Sequence, residues 1–197
     1  MIYSSVIEQM RNYADQHNVP IMTDDGINYL MNYIRKHKIK NILEIGTAIG
    51  YSAILMCSVS EDVFVTTIER DEKRYLEAVK NIKSAKLEDR INLICKDALD
   101  TNLGDAKYDL IFIDAAKAQN INFFEKFELN LVDGGTIITD NMNFHGLVYE
   151  DDERIESRNL RQLVRKVRNY KDFLNGNKYY RTEFLDIGDG LAISVKR

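Results

Sequence analysis

Residues 43–52 read Leu43-Glu44-Ile45-Gly46-Thr47-Ala48-Ile49-Gly50-Tyr51-Ser52. An apolar run halts at one glycine, and a helix-compatible run starts after a second. That pattern is a buried strand, a tight turn and a helix start, the unit from which open α/β sheets are wound. The turn is not G-x-G-x-x-G: no glycine stands where a pyrophosphate would approach the backbone, and a carboxylate at Glu44 would repel one. The stretch suits a nucleoside ligand that is uncharged or cationic at this point.

Outward from this turn the chain repeats the alternation. Short runs rich in Ile, Val, Leu and Phe predict strands over Asn41–Ile45, Val63–Ile68, Ile91–Cys95, Tyr108–Ile113 and Thr136–Thr139, as expected where helices cover both faces of a parallel sheet. Helical patterns occupy Ser5–His17, Asp24–His37, Tyr51–Ser60, Asp71–Ala85, Gln119–Leu131 and roughly Ile155–Leu174. Thr23 or Asp24 is positioned to cap the second helix. Pro20, the single proline, falls between the first two helices, where a break is needed. The runs Tyr179–Asp186 and Leu191–Lys196 flank Ile187-Gly188-Asp189-Gly190 and read as a hairpin. The expected fold is α/β: a doubly wound sheet, mostly parallel, with a C-terminal antiparallel hairpin and helices on both faces. At 197 residues this is one domain, with N-terminal helices over 1–37 and the core over 38–197.

Open α/β sheets bind ligands beyond the carboxyl ends of their strands. All five strands end on acids: Glu44 with Gly46, then Glu69, Asp97, Asp114, and Asp140 with Asn141. Each alone is equally a helix cap or a solvated loop residue; together they point to a site. Glu69 ends the second strand, where a carboxylate accepts from ribose hydroxyls, and Asp97 is placed for an adenine edge. Gly46, Glu69 and Asp97 in register predict an adenosyl ligand without phosphates. Asp114, Asp140 and Asn141 are hard oxygen donors that suit an octahedral divalent ion such as Mg²⁺. Zinc does not fit, since Cys57 and Cys95 lack ligand spacing and His17, His37 and His145 are scattered. Lys117, three residues after Asp114, leans over the same place, where partial desolvation beside a metal would make it a base.

These residues carry a resemblance. The stretch 43–52, Ile113-Asp114-Ala115-Ala116-Lys117 and Asp140-Asn141 resemble the cation-dependent O-methyltransferases of the catechol and caffeoyl-CoA type. The likeness runs from Val19-Pro20-Ile21-Met22 to Gly188-Asp189-Gly190-Leu191-Ala192 and is strongest to the bacterial branch that methylates 5-hydroxyuridine at the tRNA wobble position. It implies a Rossmann-like core and S-adenosylmethionine contacts from Met22, Gly46, Ser52, Glu69, Asp97, Ala98 and Asp114. It also implies Mg²⁺ on Asp114, Asp140 and Asn141, Lys117 as base, and a homodimer. Such a metal favours an acceptor with two adjacent oxygens, either a catechol or 5-hydroxyuridine.

The long helix near the C-terminus bears on that choice. Arg154, Arg158, Arg161, Arg165 and Arg168 fall in one stripe, opposite Leu160, Leu163, Val167, Tyr170 and Leu174. Residues 154–171 hold seven basic groups and one acid, a net +6 within a chain of net −4. A single-sign stripe calls for an anionic partner, so the expected partner is the anticodon loop of a tRNA. The alternative is a small-molecule O-methyltransferase in which the arginines meet a CoA phosphate. Hydrophobic residues at 45% and charged residues at 29% are ordinary for a soluble protein. No run is long enough to span a bilayer, the N-terminus reads without a secretory signal, and two cysteines make no disulfide framework; the expected setting is cytoplasmic, with no membrane partner.

Overall fold

The computed structural model describes residues 3–197. Helices α1 (Ser4–His17) and α2 (Asp24–His37) lead into a sheet of seven strands: β1 (Asn41–Ile45), β2 (Phe64–Glu69), β3 (Ile91–Cys95), β4 (Tyr108–Ile113), β5 (Leu131–Thr139), β6 (Tyr180–Leu185) and β7 (Leu191–Lys196). Helices α3 (Tyr51–Cys57), α4 (Glu72–Ser84), α5 (Asn120–Phe127) and α6 (Arg158–Gly176) make the crossovers. The strand order is β3-β2-β1-β4-β5-β7-β6, with β1 to β5 parallel and β7 antiparallel to both β5 and β6. The order reverses beside β1, so the switch point lies at the glycine turn after it.

Side chains alternate across the sheet. Ile42, Val65, Leu110, Phe112 and Ile138 pack under α1 to α4. Leu43, Ile45, Ile111, Ile113 and Ile137 pack under α5 and α6, around Phe124, Phe127, Tyr170 and Leu174. Caps set the helix ends, at Thr23 as the sequence predicts and at Asp71, which the sequence reading placed inside its helix. The Thr23 hydroxyl accepts from the Gly26 amide, and Asp71 accepts from the Arg74 amide at 2.9 Å.

Four boundaries differ from the sequence reading by three residues or more. Helix α3 stops at Cys57, where the Ser58 hydroxyl donates to the Leu55 carbonyl at 2.6 Å. The segment read as one helix over 119–131 is α5 flanked by single 3₁₀ turns, and Leu131 already belongs to β5. Strand β5 starts five residues before Thr136, with Tyr108 opposite Leu131 and a register shift before Leu110. Helix α6 begins at Arg158 because Ser157 caps it, and Asp152–Arg154 form a separate turn. Among the described residues no helix is long and apolar enough to cross a membrane. Cys57 is buried and Cys95 exposed, both as free thiols.

Candidate active site

A cavity of about 450 Å³ runs along the edge where β1 to β5 end, within the usual size of small-molecule sites. Strand β7 points the opposite way, so the turn that feeds it arrives at the same edge. Met22, Gly46, Ser52, Glu69, Asp97, Ala98, Asp114, Lys117, Asp140 and Asn141 all line this one cavity, as do His145 and Asp189.

The end under β2 and β3 is rigid. Gly46 has φ +99°, and a Cβ there would lie 2.2 Å from the Asp114 carbonyl oxygen. The turn is therefore pressed against the end of β4, where the Asp114 N–H donates to the Ile45 carbonyl, while the Gly46 N–H donates to the Ile68 carbonyl of β2. Glu69 accepts from the Ala48 and Asp71 amides, both at 2.8 Å, which fixes its carboxylate at the cavity wall. Asp97 accepts from the Leu99 amide at 2.9 Å and faces Arg70 at 3.4 Å across the rim.

Glu44 departs from expectation. It is fully buried and does not line the cavity. Its neighbours Leu43 and Ile45 face α5 and α6, so its own side chain points the other way, beneath α3. There it accepts from the Ser52 hydroxyl and, at 2.5 Å, from the Thr67 hydroxyl. Glu44 is a brace for the turn rather than a contact for a ligand. Burial pushes its carboxyl up to about 7, against the pull of those two hydroxyls. The folded protein therefore binds a proton that the unfolded chain has released, and stability falls as pH rises from about 4.5 to 7. At about 1.4 kcal/mol per pH unit, the loss is about 3 kcal/mol. Glu44→Gln is expected to remove this slope, so the melting temperatures of variant and wild type should diverge between pH 5 and pH 8, in the variant's favour. Parallel curves would contradict the buried carboxyl.

At the other end of the cavity, Asp114 closes β4 while Asp140 and Asn141 follow β5. Burial raises both carboxyls, and Asp140 reaches about 7, with Asp114 and Asp189 adding repulsion. Two carboxylates that oppose each other's ionisation in a dry pocket make a place for a cation. Asn141 holds a left-handed φ of 60°, donates its amide N–H to Asp140 at 2.6 Å, and offers Oδ1 beside the pair. Among the described residues no set of three His, Cys, Asp or Glu groups could hold a metal; the candidate donors are two carboxylates and one amide oxygen. That set fits Mg²⁺ or a similar hard ion. Lys117 Nζ already lies there, donating to Asn141 Oδ1 at 2.5 Å and standing 5.5 Å over the Phe144 ring.

On α6 the stripe forms from Arg158, Arg161, Arg165 and Arg168, while Arg154 lies in the separate turn before it. Its anionic partner is intramolecular. Asp152 holds Arg165 at 2.6 Å and Arg168 at 2.7 Å. Arg168 also donates to the Val148 carbonyl, Arg161 to that of Ile155, and Arg154 lies 3.8 Å from Glu150. Asp152 and the backbone carbonyls of Val148, Glu150 and Ile155 thus strap this loop onto α6. Of the five arginines, only Arg158 makes no hydrogen bond or ion pair among the described residues.

Sequence reasoning passed over His145 and Asp189. The Gly188-Asp189-Gly190 turn was legible as a turn, but nothing local shows that it meets the loop after β5. The contact is tight: a Cβ on Gly190 would lie 2.6 Å from Asn143 Cγ.

A family model described as O-methyltransferase matches residues 2–197. The chain is similar in structure to a Staphylococcus aureus protein assigned provisionally to the caffeoyl-CoA O-methyltransferases, with 44% identity, a TM-score of 0.93, and 97% of this chain and 92% of that one covered. An O-methyltransferase from Bacillus cereus in complex with SAH is 28% identical with a TM-score of 0.85, covering 98% of this chain and 91% of that one. A catechol O-methyltransferase of Niastella koreensis is 30% identical over 168 residues, 79% of this chain and 73% of the relative.

Proposed function

This chain belongs to the O-methyltransferase family, and from that premise we propose that it methylates one hydroxyl of a small molecule bearing two adjacent oxygens, of catechol or caffeoyl-CoA type. The methyl donor is S-adenosylmethionine. One observation carries the reading: Asp114, Asp140 and Asn141 stand at the acceptor end of a cavity whose other end presents Gly46, Glu69 and Asp97.

Glu69 and Asp97 hold the adenosine half, and Met22 closes over it, buried and lining the same cavity. The open turn, free of any phosphate cradle, accepts a sulfonium without electrostatic penalty. A divalent cation, held by Asp114, Asp140 and Asn141, would supply a Lewis acid that favours the ionised acceptor hydroxyl. Lys117 adds a positive charge beside the developing oxyanion. Alignment for in-line displacement comes from the fixed turn on one side and the β4 and β5 ends on the other.

A second reading, 5-hydroxyuridine of a tRNA anticodon as acceptor, keeps support from the exposed guanidinium groups of Arg154, Arg158 and Arg165. It takes second place because Asp152 and its neighbours already satisfy much of the stripe. Labelled S-adenosylmethionine with Mg²⁺ should mark a panel of catechols and leave unmodified tRNA unlabelled. Label in tRNA alone would reverse the order of the two readings.

A further inference from the structure

Beside the glycine turn, two parts of the cavity wall belong to no strand: residues 20–23, which join α1 to α2, and Tyr51, the first residue of α3. One side chain holds both. We propose that Arg11 of α1 is a positioning residue for the methyl donor, fixing these two walls before the donor arrives; the inference rests on the S-adenosylmethionine reading above. Arg11 stands behind the walls and not in them.

Tyr51 is fixed at both ends. It comes straight out of the turn, where Gly50 holds φ +89° and donates its amide to the Thr47 carbonyl at 2.9 Å. The residue is only 2% exposed and lines the cavity. At its far end the phenol oxygen accepts from Arg11 Nη2 at 2.8 Å and from Nε at 3.1 Å. A planar guanidinium that donates twice to one oxygen leaves the ring little freedom to swing.

The same guanidinium reaches the second wall. Nη1 donates to Asp24 Oδ2 at 3.3 Å, and Nη2 pairs with Asp24 Oδ1. Asp24 opens α2 directly after Pro20, Ile21, Met22 and Thr23, four consecutive residues that line the cavity. Those four carry no regular secondary structure, and Met22 is the side chain that closes over the adenosine half. Arg11 therefore joins a connector and a helix start that the sheet does not hold together.

This link adds little to the stability of the fold. Helix α1 is seated by Ile7, Met10 and Ala14 on its buried face, whereas the Arg11 and Asp24 side chains are 45% and 64% exposed, where an ion pair is weak. Its contribution is order. Walls already fixed in the bound arrangement reduce the conformational freedom lost when the ligand enters. Loosening them weakens donor binding while leaving the acceptor end untouched.

Calorimetric titration of the intact protein with S-adenosylmethionine tests this and needs no acceptor. Arg11→Gln should raise the dissociation constant about 10-fold, the scale of one charge-assisted hydrogen bond. Its melting temperature should fall by no more than about 4 °C, as for the loss of an exposed pair. Arg11→Lys keeps a cation that still donates to Tyr51 and Asp24, and should recover part of the affinity. Tyr51→Phe, which removes only the phenol oxygen, should show much of the same loss, and the double variant should bind no more weakly than Arg11→Gln alone. Wild-type affinity in Arg11→Gln, no recovery in Arg11→Lys, or losses that simply add in the double variant would each overturn the proposal. A wild-type protein that binds no S-adenosylmethionine would instead overturn the donor reading, and this role with it.

Discussion

Asp140→Ala is expected to stop methyl transfer while leaving the methyl donor bound. In the proposed arrangement Asp140 belongs to the acceptor end of the cavity, at the close of β5, with β1 and β4 between it and the Glu69 carboxylate that ends β2. Removing it leaves Asp114 and Asn141, too few protein donors to hold a hard dication firmly. The several kcal/mol of charge stabilisation that such an ion supplies then disappear, a loss of about 10³-fold in turnover or more. Calorimetric titration with S-adenosylmethionine should give a dissociation constant close to that of the wild type. EDTA should reproduce the loss in the wild type and change nothing further in the variant. Full activity in EDTA would remove the cation from the mechanism.

Gly46→Ala is expected to have the largest effect on stability of any single methyl group added to this chain. Two independent problems meet there. The φ of +99° lies outside the wells open to residues with a Cβ, and the new carbon would lie 2.2 Å from a backbone carbonyl oxygen that no rotamer can move. Relief requires the end of β4 to shift, which displaces Asp114 with it. A cost of about 3–5 kcal/mol is in line with the severe class of single substitutions. For a domain of this size that corresponds to a fall of about 6–20 °C in melting temperature. Gly104 and Gly134 provide the control: both have positive φ, yet nothing lies within 4 Å of the added Cβ. Gly104→Ala and Gly134→Ala should therefore cost only about 1 kcal/mol, the conformational part. Equal losses at all three positions would show that the contact with Asp114 carries no weight.

The strands were legible because burial on both faces writes them as unbroken apolar runs, and their ends because each run stops on an acid. The parity of β1 was harder to see. Glu44 sits among strand-end acids in the sequence, but it lies one residue from Ile45 and so faces the opposite side of the sheet, toward Ser52 and Thr67. The beginning of β5 was hidden by Gly134-Gly135, which reads as a turn but is a bulged continuation of the strand opposite Tyr108. The arginine stripe was visible from helical spacing alone. Its partner Asp152 was not, because the pairing depends on how the preceding loop folds back. Asp189 and His145 are 44 residues apart, and only the sheet order brings them together.

That sheet order has a consequence for how the protein is made. Strand β7 follows every other strand in the chain, yet it lies between β5 and β6 rather than at an edge. During synthesis the five parallel strands can pair as they emerge, since each neighbours one already present. Strand β5 must wait with one side uncovered, and the wall carrying Asp189 does not exist until the hairpin closes. A nascent chain can thus acquire its nucleoside-binding half well before its acceptor half. The order of assembly makes the exposed flank of β5 the place where a chaperone or an aggregating neighbour would first take hold.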